Sequence, residues 1–260
     1  MNLTRREFLK LSGAAAVSFS FSKYVAADTV NIPVLMYHDI SYQRREEETV
    51  SPAHFAAQME WLYGAGYHAV SFEEIGSLKA ERLRRAVIIT FDDGDVSFMD
   101  FAFPLLKEYG FKSTINIIGR RTGGFISGND PRLSWDECRF LTASGLVEIG
   151  CHTYDLHTWN GNLSRADAIA AFNERLRQDI SVFQEVSTAE LGRPAKILAW
   201  PYGRYDNNSI KIAKRAGFQF ILSSNHRYFG QNDDRLNIPR FTIDNDTPLA
   251  LFRKIVERRL

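Results

Sequence analysis

Short apolar runs rich in β-branched residues recur along the chain, and helix-like segments with apolar periodicity separate them. Each run has the length of a strand. The runs are Ile32–Tyr37, His68–Val70, Ala86–Phe91, Ser113–Ile118, Leu146–Ile149, Lys196–Trp200, Phe218–Leu222 and Ile238–Ile243. Strands that alternate with helices predict an α/β domain with a parallel sheet, either closed as a barrel or doubly wound.

Capping signals mark the ends of several intervening helices. The segments 71–74, 134–137 and 164–167 each begin with Ser and end with an acidic residue, as a capping box does. Gly110 and Gly217 occupy positions typical of a helix C-terminus. These signals support helices between the predicted strands.

Unusual polar residues follow four of these strands at their carboxyl ends. These residues are His38, the Asp92-Asp93 pair, His152 and Tyr202. In α/β barrels the loops at this end converge and carry the active site. Because a chance distribution of polar side chains would not select the same end of four strands, we predict the site there.

Two adjacent carboxylates and two histidines provide the chemistry of the predicted site. In an extended segment the side chains of Asp92 and Asp93 diverge, so one can bind a metal while the other accepts a proton. His152 and His157 are five positions apart, and a helix would place them on different faces, so we predict a loop. Two imidazoles and one carboxylate leave positions open for water and substrate, as a catalytic zinc site does. The residues alone do not decide which aspartate has which role.

Each of these residues also has a simpler interpretation. Asp-Asp-Gly is typical of a turn, and a pair of nearby histidines often lies on the surface without a ligand. Histidine titrates near neutral pH, so His38 is a candidate general acid. A buried histidine that hydrogen-bonds to backbone is an equally good interpretation of His38.

Three motifs in this order resemble the polysaccharide deacetylase family, also called the NodB-homology or carbohydrate esterase 4 family. They are TFDDG at 90–94, HTYDLH at 152–157 and PYG at 201–203. The segments IPVLMYHDI, LSWDECRFLTASGLVEIGCHTYDLH and LAWPYGRYD are most similar to the branch that removes acetyl groups from poly-β-1,6-N-acetylglucosamine in biofilm matrices.

This resemblance implies a distorted (β/α)7–8 barrel that forms a single domain over residues 28–260. It implies a divalent metal, with zinc preferred and cobalt, nickel or iron as alternatives. The implied metal ligands are Asp93, His152 and His157. Asp92 becomes the catalytic base, the N–H of Tyr202 stabilises the oxyanion, and His38 protonates the departing amine.

The chain also departs from the family pattern. Most members space the two histidines four apart, whereas five apart resembles the biofilm branch. Ala199-Trp200 stands where an arginine commonly precedes PYG, and the late Leu-x-His motif is missing. No clear partner for His38 is evident, and Asp39 and Arg240 are weak candidates.

The resemblance implies an N-acetylated polysaccharide as substrate, and aromatic residues near the predicted cleft suit stacking on sugar rings. The candidates are Trp159, Trp200 and Tyr37, although aromatic residues are also ordinary core residues. Two alternative functions remain open. One is a deacetylase or esterase for peptidoglycan, chitin oligomers or xylan, and the other is a non-catalytic glycan-binding protein.

The first 27 residues resemble a twin-arginine signal peptide. The RRxFLK pattern at 5–10 precedes a modest apolar run, and Val25-Ala26-Ala27 supplies small residues for cleavage. A Sec signal is the nearer alternative. We therefore predict export of the folded chain to the periplasm or the extracellular space.

Composition limits the partners of the mature chain. The whole sequence has a formal net charge of +1, and the predicted signal removes more basic than acidic residues, so nucleic acid is excluded as a partner. No later apolar run is long enough to span a membrane, and we expect a monomer. Cys138 and Cys151 are expected to be packed in the interior, with a disulfide as the second interpretation and metal binding by Cys151 as the third.

Overall fold

The computed structural model describes residues 30–43, 47–123, 131–158, 166–230 and 232–260. The strands are β1 (Asn31–Ile32), β2 (Val34–Tyr37), β3 (His68–Ala69), β4 (Ala86–Phe91), β5 (Ser113–Ile117), β6 (Val147–Cys151), β7 (Ile197–Ala199), β8 (Phe220–Leu222), β9 (Phe229–Gly230) and β10 (Phe241–Thr242). The α-helices are α1 (Pro52–Gly64), α2 (Ala80–Leu83), α3 (Phe103–Tyr109), α4 (Trp135–Ala143), α5 (Ala166–Leu191), α6 (Asn207–Arg215) and α7 (Leu249–Val256). Short turns of 3-10 helix follow several strands, at Gly119–Arg121, Leu156–Thr158 and Pro201–Gly203.

The main sheet is parallel and curled. Its strand order is β10-β2-β4-β5-β6-β7-β8, and β3 pairs with β4 beside this path. The segment 238–242 joins the two ends of the curl, because Ile238 forms a parallel bridge with Leu222 of β8 while β10 pairs with β2. The predicted α/β barrel in one domain is confirmed. The predicted strand Ile238–Ile243 is instead a single bridge followed by the two-residue strand β10.

Alternation along the strands separates an outer face from an inner one. In β4, Val87, Ile89 and Phe91 join the larger core beneath the helices, whereas Ala86 and Ile88 pack inside the curl. The same alternation continues past the strand ends. It places His38, Asp92 and His152 on the inner face, and it places Tyr37 and Trp200 among the residues that pack against the helices.

The predicted helix ends are confirmed in part. Ser134 and Glu137 form a reciprocal capping box at the start of α4, and Gly110 ends α3 with φ of 65°. Ser71 is bonded to the Glu74 carboxylate, but only a turn of 3-10 helix follows. The predicted cap at 164 lies outside the described residues.

Cys138 and Cys151 are both buried and free, so the packing interpretation is confirmed. Burial raises the pKa of the Cys138 thiol to about 12. Within the described ranges, no helix has both the length and the apolar character needed to cross a membrane.

Candidate active site

A cavity of about 510 Å³ opens at the carboxyl ends of the strands, where the sequence places the site. Seven of the predicted site residues line it: His38, Asp92, Asp93, His152, His157, Trp200 and Tyr202. The curl of the sheet brings these residues together from β2, β4, β6 and β7, although they are far apart in sequence.

Three of these residues form a compact ligand set. One ligand atom from each of Asp93, His152 and His157 lies within 4.8 Å of the others. Oδ1 of Asp93 is 3.0 Å from Nε2 of His157 and 3.4 Å from Nε2 of His152. Among the described residues, this buried oxygen meets only the two imidazole nitrogens, as expected of an atom that shares a cation with them. The donor set therefore fits a divalent metal such as zinc.

The turn interpretation of Asp-Asp-Gly is compatible with this ligand set. Asp93 and Gly94 both adopt left-handed backbone conformations, with φ of 70° and 76°, and the Gly94 N–H donates to the Asp92 carbonyl at 3.0 Å. The turn directs the Asp93 carboxylate toward the histidines. Burial opposes ionisation of Asp93, but the imidazoles of His157 and His152 hold its pKa well below its usual range.

A backbone carbonyl fixes the tautomer of His152. Nδ1 of His152 lies 2.9 Å from the Ala199 carbonyl oxygen, so Nδ1 carries the proton and Nε2 is left free for a metal. Burial is the main cause that lowers the pKa of His152, despite the carboxylates of Asp92 and Asp93. The neutral imidazole is the form that binds metals.

Asp92 is held by a buried guanidinium and a buried amide. Nη1 and Nη2 of Arg240 donate to the two oxygens of Asp92 at 2.8 and 2.7 Å. Nδ2 of Asn116 donates to Oδ1 of Asp92 at 2.8 Å. Burial raises the pKa of Asp92, but the charge and hydrogen bonds of Arg240, together with the nearby histidines, outweigh it, and the net pKa lies well below the usual range. Asp92 is consequently an ionised carboxylate beside the ligand set.

Gly150 makes room for this arrangement. It pairs with Asn116 across β5 and β6, and a Cβ atom at Gly150 would lie 2.1 Å from Oδ1 of Asn116. Any other residue at this position would displace the amide that holds Asp92.

His38 and Tyr202 line the cavity close to these groups. Nδ1 of His38 is buried and has no hydrogen-bond partner within the described part of the chain. Tyr202 has φ of 55° in the turn Pro201–Gly203, at a position whose N–H finds no acceptor inside such a turn. Arg240 pairs with Asp92, so our suggestion that it partners His38 is wrong.

Comparison of the sequence with known proteins identifies the family of this chain. The family model described as polysaccharide deacetylase matches residues 79–221, which is more than half of the chain. The chain belongs to the polysaccharide deacetylase family. The match spans Asp92, Asp93, His152, His157 and Tyr202, and it leaves His38 and Arg240 outside.

Individual relatives in the family are similar over most of their length. The chain is 25% identical to poly-β-1,6-N-acetyl-D-glucosamine N-deacetylase of Staphylococcus aureus over 96% of this chain and 84% of that protein. The structure of IcaB from Ammonifex degensii superposes with a TM-score of 0.76 at 25% identity, covering 87% of this chain and 97% of the other. A de-N-acetylase from Aggregatibacter actinomycetemcomitans has a TM-score of 0.75 at 22% identity, over 86% and 99% of the two chains.

Of the aromatic residues predicted to bind sugar rings, only Trp200 is found at the cavity among those that the structure describes. Tyr37 has no exposed surface, packs against Phe55 and Phe91, and donates its hydroxyl to Gln58 at 2.8 Å. Its predicted role in sugar stacking is wrong, because the alternation along β2 turns it toward the helices. Trp200 lines the cavity wall but is only 3% exposed, and its role stays a prediction. Trp159 lies outside the described residues.

Two residues that hold Asp92 were not predicted for that role. Arg240 bonds both oxygens of Asp92 from the segment just before β10, whereas Ala199-Trp200 precedes Pro201. The available signals were an arginine in the segment IPRFTI and an asparagine in the predicted strand STINI. Polar residues at buried positions of apolar strands usually need a polar partner.

Proposed function

We propose that this deacetylase is metal-dependent and removes acetyl groups from N-acetylglucosamine units, with poly-β-1,6-N-acetylglucosamine as the preferred polymer. One observation carries the proposal: the ligand set Asp93, His152 and His157 borders the same cavity as the ionised carboxylate of Asp92. Its two imidazoles and one carboxylate favour zinc, which such mixed nitrogen and oxygen sites commonly hold.

A divalent metal held by Asp93, His152 and His157 would supply Lewis-acid polarisation of the acetyl carbonyl and would make a water molecule more acidic. Asp92 accepts the proton of the attacking water, and its pairs with Arg240 and Asn116 keep it ionised and oriented for this task. The low pKa of Asp92 means that the base is available across the physiological pH range.

The N–H of Tyr202 donates to the acetyl oxygen as negative charge develops on it, which is the role of an oxyanion hole. His38 donates a proton to the nitrogen as the bond to the acetyl carbon breaks. Acetate and a free amine leave the site, and the amine is cationic at neutral pH.

The choice of polymer rests on the relatives. The S. aureus protein is named for poly-β-1,6-N-acetyl-D-glucosamine, and it is similar to this chain over almost the whole sequence. Peptidoglycan, chitin oligomers and xylan are the alternative substrates. A non-catalytic glycan-binding role is disfavoured by the intact ligand set and the oriented base.

Acetate release tests the proposal. The purified protein would be offered poly-β-1,6-N-acetylglucosamine, chitin oligomers, peptidoglycan and acetylated xylan in parallel, with chelator treatment and Zn²⁺ or Co²⁺ add-back. We expect the fastest release from the first polymer, loss of release on chelation, and recovery with metal. Faster release from another polymer would replace the substrate, and release that survives complete metal removal would refute metal dependence.

We also propose that residues 1–27 direct export through the twin-arginine route. These residues lie outside the described ones, and the RRxFLK pattern alone supports the proposal. Replacing Arg5 and Arg6 together by lysine keeps the charge and should block export, because a receptor reads the arginines. Normal processing of that double variant would contradict the route.

A further inference from the structure

The segment from His152 to His157, here called the histidine loop, has an unfavourable backbone conformation. Thr153 has φ of 67°, and a β-branched residue in the left-handed region is strained. Such strain persists only where the surrounding structure fixes the conformation. The loop must keep this shape because it brings Nε2 of His157 back to Asp93, five positions after His152.

A buried carboxylate on α5 provides the strongest restraint on the histidine loop. Oδ1 of Asp179 accepts the N–H of Tyr154 at 2.7 Å, and Oδ2 accepts the N–H of Asp155 at 2.7 Å. Asp179 is 8% exposed and lies on the buried face of α5 near Leu176, Ile180 and Phe183. A carboxylate on such a face is costly unless it is bonded in this way.

The opposite side of the loop is held by the turn after β5. Gly119 and Arg120 donate their N–H groups to the carbonyls of Thr153 and Tyr154 at 3.1 and 2.8 Å. A Cβ atom on Gly119 would lie 2.5 Å from the Tyr154 ring. The loop is therefore clamped between the β5 turn and Asp179. The β5 turn bonds the loop's carbonyls, and Asp179 bonds its N–H groups.

We propose that Asp179 is a positioning residue: by fixing the histidine loop it sets where His157 meets Asp93 and hence the affinity for metal. The inference rests on the proposed function, in which His157 binds a metal. The two N–H groups need two acceptor oxygens, and an anionic acceptor makes the stronger bonds. In Asp179→Asn one acceptor becomes an NH2 group that faces an N–H donor, so one side of the restraint is lost.

Metal titration of the full chain tests this role. Protein stripped by chelator would be titrated with Co²⁺ and with Zn²⁺, and the visible spectrum of the Co²⁺ form would be recorded together with unfolding of the metal-free form. Asp179→Asn is compared with Asp233→Asn, which alters another carboxylate that accepts a backbone N–H, that of Gly230 at 3.0 Å. Asp233 does not contact the histidine loop.

We expect Asp179→Asn to weaken metal binding by about 10–100-fold, the usual cost of losing a group that orients a ligand, and to change the Co²⁺ spectrum. Asp233→Asn should keep the wild-type metal affinity and the wild-type Co²⁺ spectrum. If Asp179→Asn does not fold, Asp179→Glu replaces it: the charge is kept, but the longer side chain moves the loop and should also weaken binding.

Two outcomes would overturn the inference. Wild-type metal affinity and an unchanged Co²⁺ spectrum in a folded Asp179 variant would overturn this inference and leave the proposed function standing. Absence of stoichiometric metal binding by the wild-type protein would overturn the proposed function and this inference with it. A purely structural role would lower the unfolding temperature and leave the metal affinity of the folded protein unchanged.

Discussion

Asp92 and His157 reach the same cavity from two differently built regions. Asp92 directly follows a fully buried strand, and side chains from two distant segments hold it through Arg240 and Asn116. His157 ends a loop, and that loop is restrained through its own backbone by Asp179 and by the turn after β5. Asp92 is held by a charged side chain and an amide, whereas His157 is held by backbone hydrogen bonds that fix the conformation of its loop.

This difference predicts that substitutions in the two regions affect different properties, stability in one and metal affinity in the other. Replacing Arg240 or Asn116 removes a partner from the buried Asp92 carboxylate, so it should reduce stability as well as activity. A change near His157 should reduce metal affinity and leave most of the fold intact, because the proposed ligands lie at the end of the sheet. The following predictions test that separation.

The largest effect is expected from His157→Ala. The variant loses one of the three proposed metal ligands, so metal content and acetate release should fall together. Loss of metal polarisation removes several kcal/mol of transition-state stabilisation, roughly 10³-fold in rate or more. Elemental analysis and an acetate assay measure both quantities, and His226→Ala, another cavity histidine outside the ligand set, is the control. Full metal content in His157→Ala would refute the ligand set.

Arg240→Met should destabilise the fold by about 3–5 kcal/mol, since it leaves the buried Asp92 carboxylate without its ion partner. Arg240 keeps the pKa of Asp92 below its usual range, so the pair stabilises the native state at neutral pH, and this contribution is lost only as pH falls through that low pKa. The difference between variant and wild type should therefore shrink in acid, where Asp92 of the variant is protonated.

Denaturant unfolding at several pH values measures this effect. Arg253→Met is a suitable control, because Arg253 lies over the Trp61 ring at the surface and has no buried partner. A constant difference between Arg240→Met and wild type at all pH values would contradict the ion-pair account.

Gly150→Ala should cost about 1–3 kcal/mol, the usual cost of overpacking, and should lower activity because Asn116 is pushed away from Asp92. Gly64→Ala is the matched control, since a Cβ atom there meets nothing within 4 Å. Thermal unfolding and acetate release of the two variants decide the point. Equal stability and equal acetate release in the two variants would show that Gly150 does not make room for Asn116.

The smallest effect is expected at Glu148, on the same strand as Gly150 but nearer the opposite end of the sheet. Burial, and secondarily Glu73, raises the pKa of Glu148, so its ionised form is penalised in the native state. Stability should fall as pH rises from the ordinary glutamate pKa through the raised one. Glu148→Gln should then stabilise the protein by about 0.5–1 kcal/mol at pH 7 and lose this advantage in acid. Destabilisation at pH 7 would contradict the assigned penalty.

Much of the fold was predictable because its signals are local. The alternation of apolar strands and helices, and the caps at Ser134 and Gly110, follow from neighbouring residues. The inward direction of His38, Asp92 and His152 follows from period-two alternation, and the same rule applied to Tyr37 would have excluded it as a sugar contact.

The supporting residues were not predictable in the same way. Arg240, Asn116 and Asp179 act across long sequence separations, and their partners depend on how the sheet curls. From sequence, Arg240 and Asn116 are polar residues in predicted strands, which indicates that each has a partner but not which one, and Asp179 is one of many charged residues on a long helix. The two aspartates posed the same problem, because only the direction of the turn at Asp93 separates their roles.

The most direct test of the account is a comparison of Asp92→Asn with Asp93→Asn. Metal content and acetate release would be measured on both variants under identical conditions. The account predicts that Asp92→Asn keeps its metal while turnover falls by about 10²–10⁴-fold, the usual cost of losing a general base. Asp93→Asn should lose metal affinity, because a neutral amide replaces an anionic ligand. Metal loss in Asp92→Asn with retention in Asp93→Asn would reverse the two roles, and wild-type turnover in both would place the active site elsewhere.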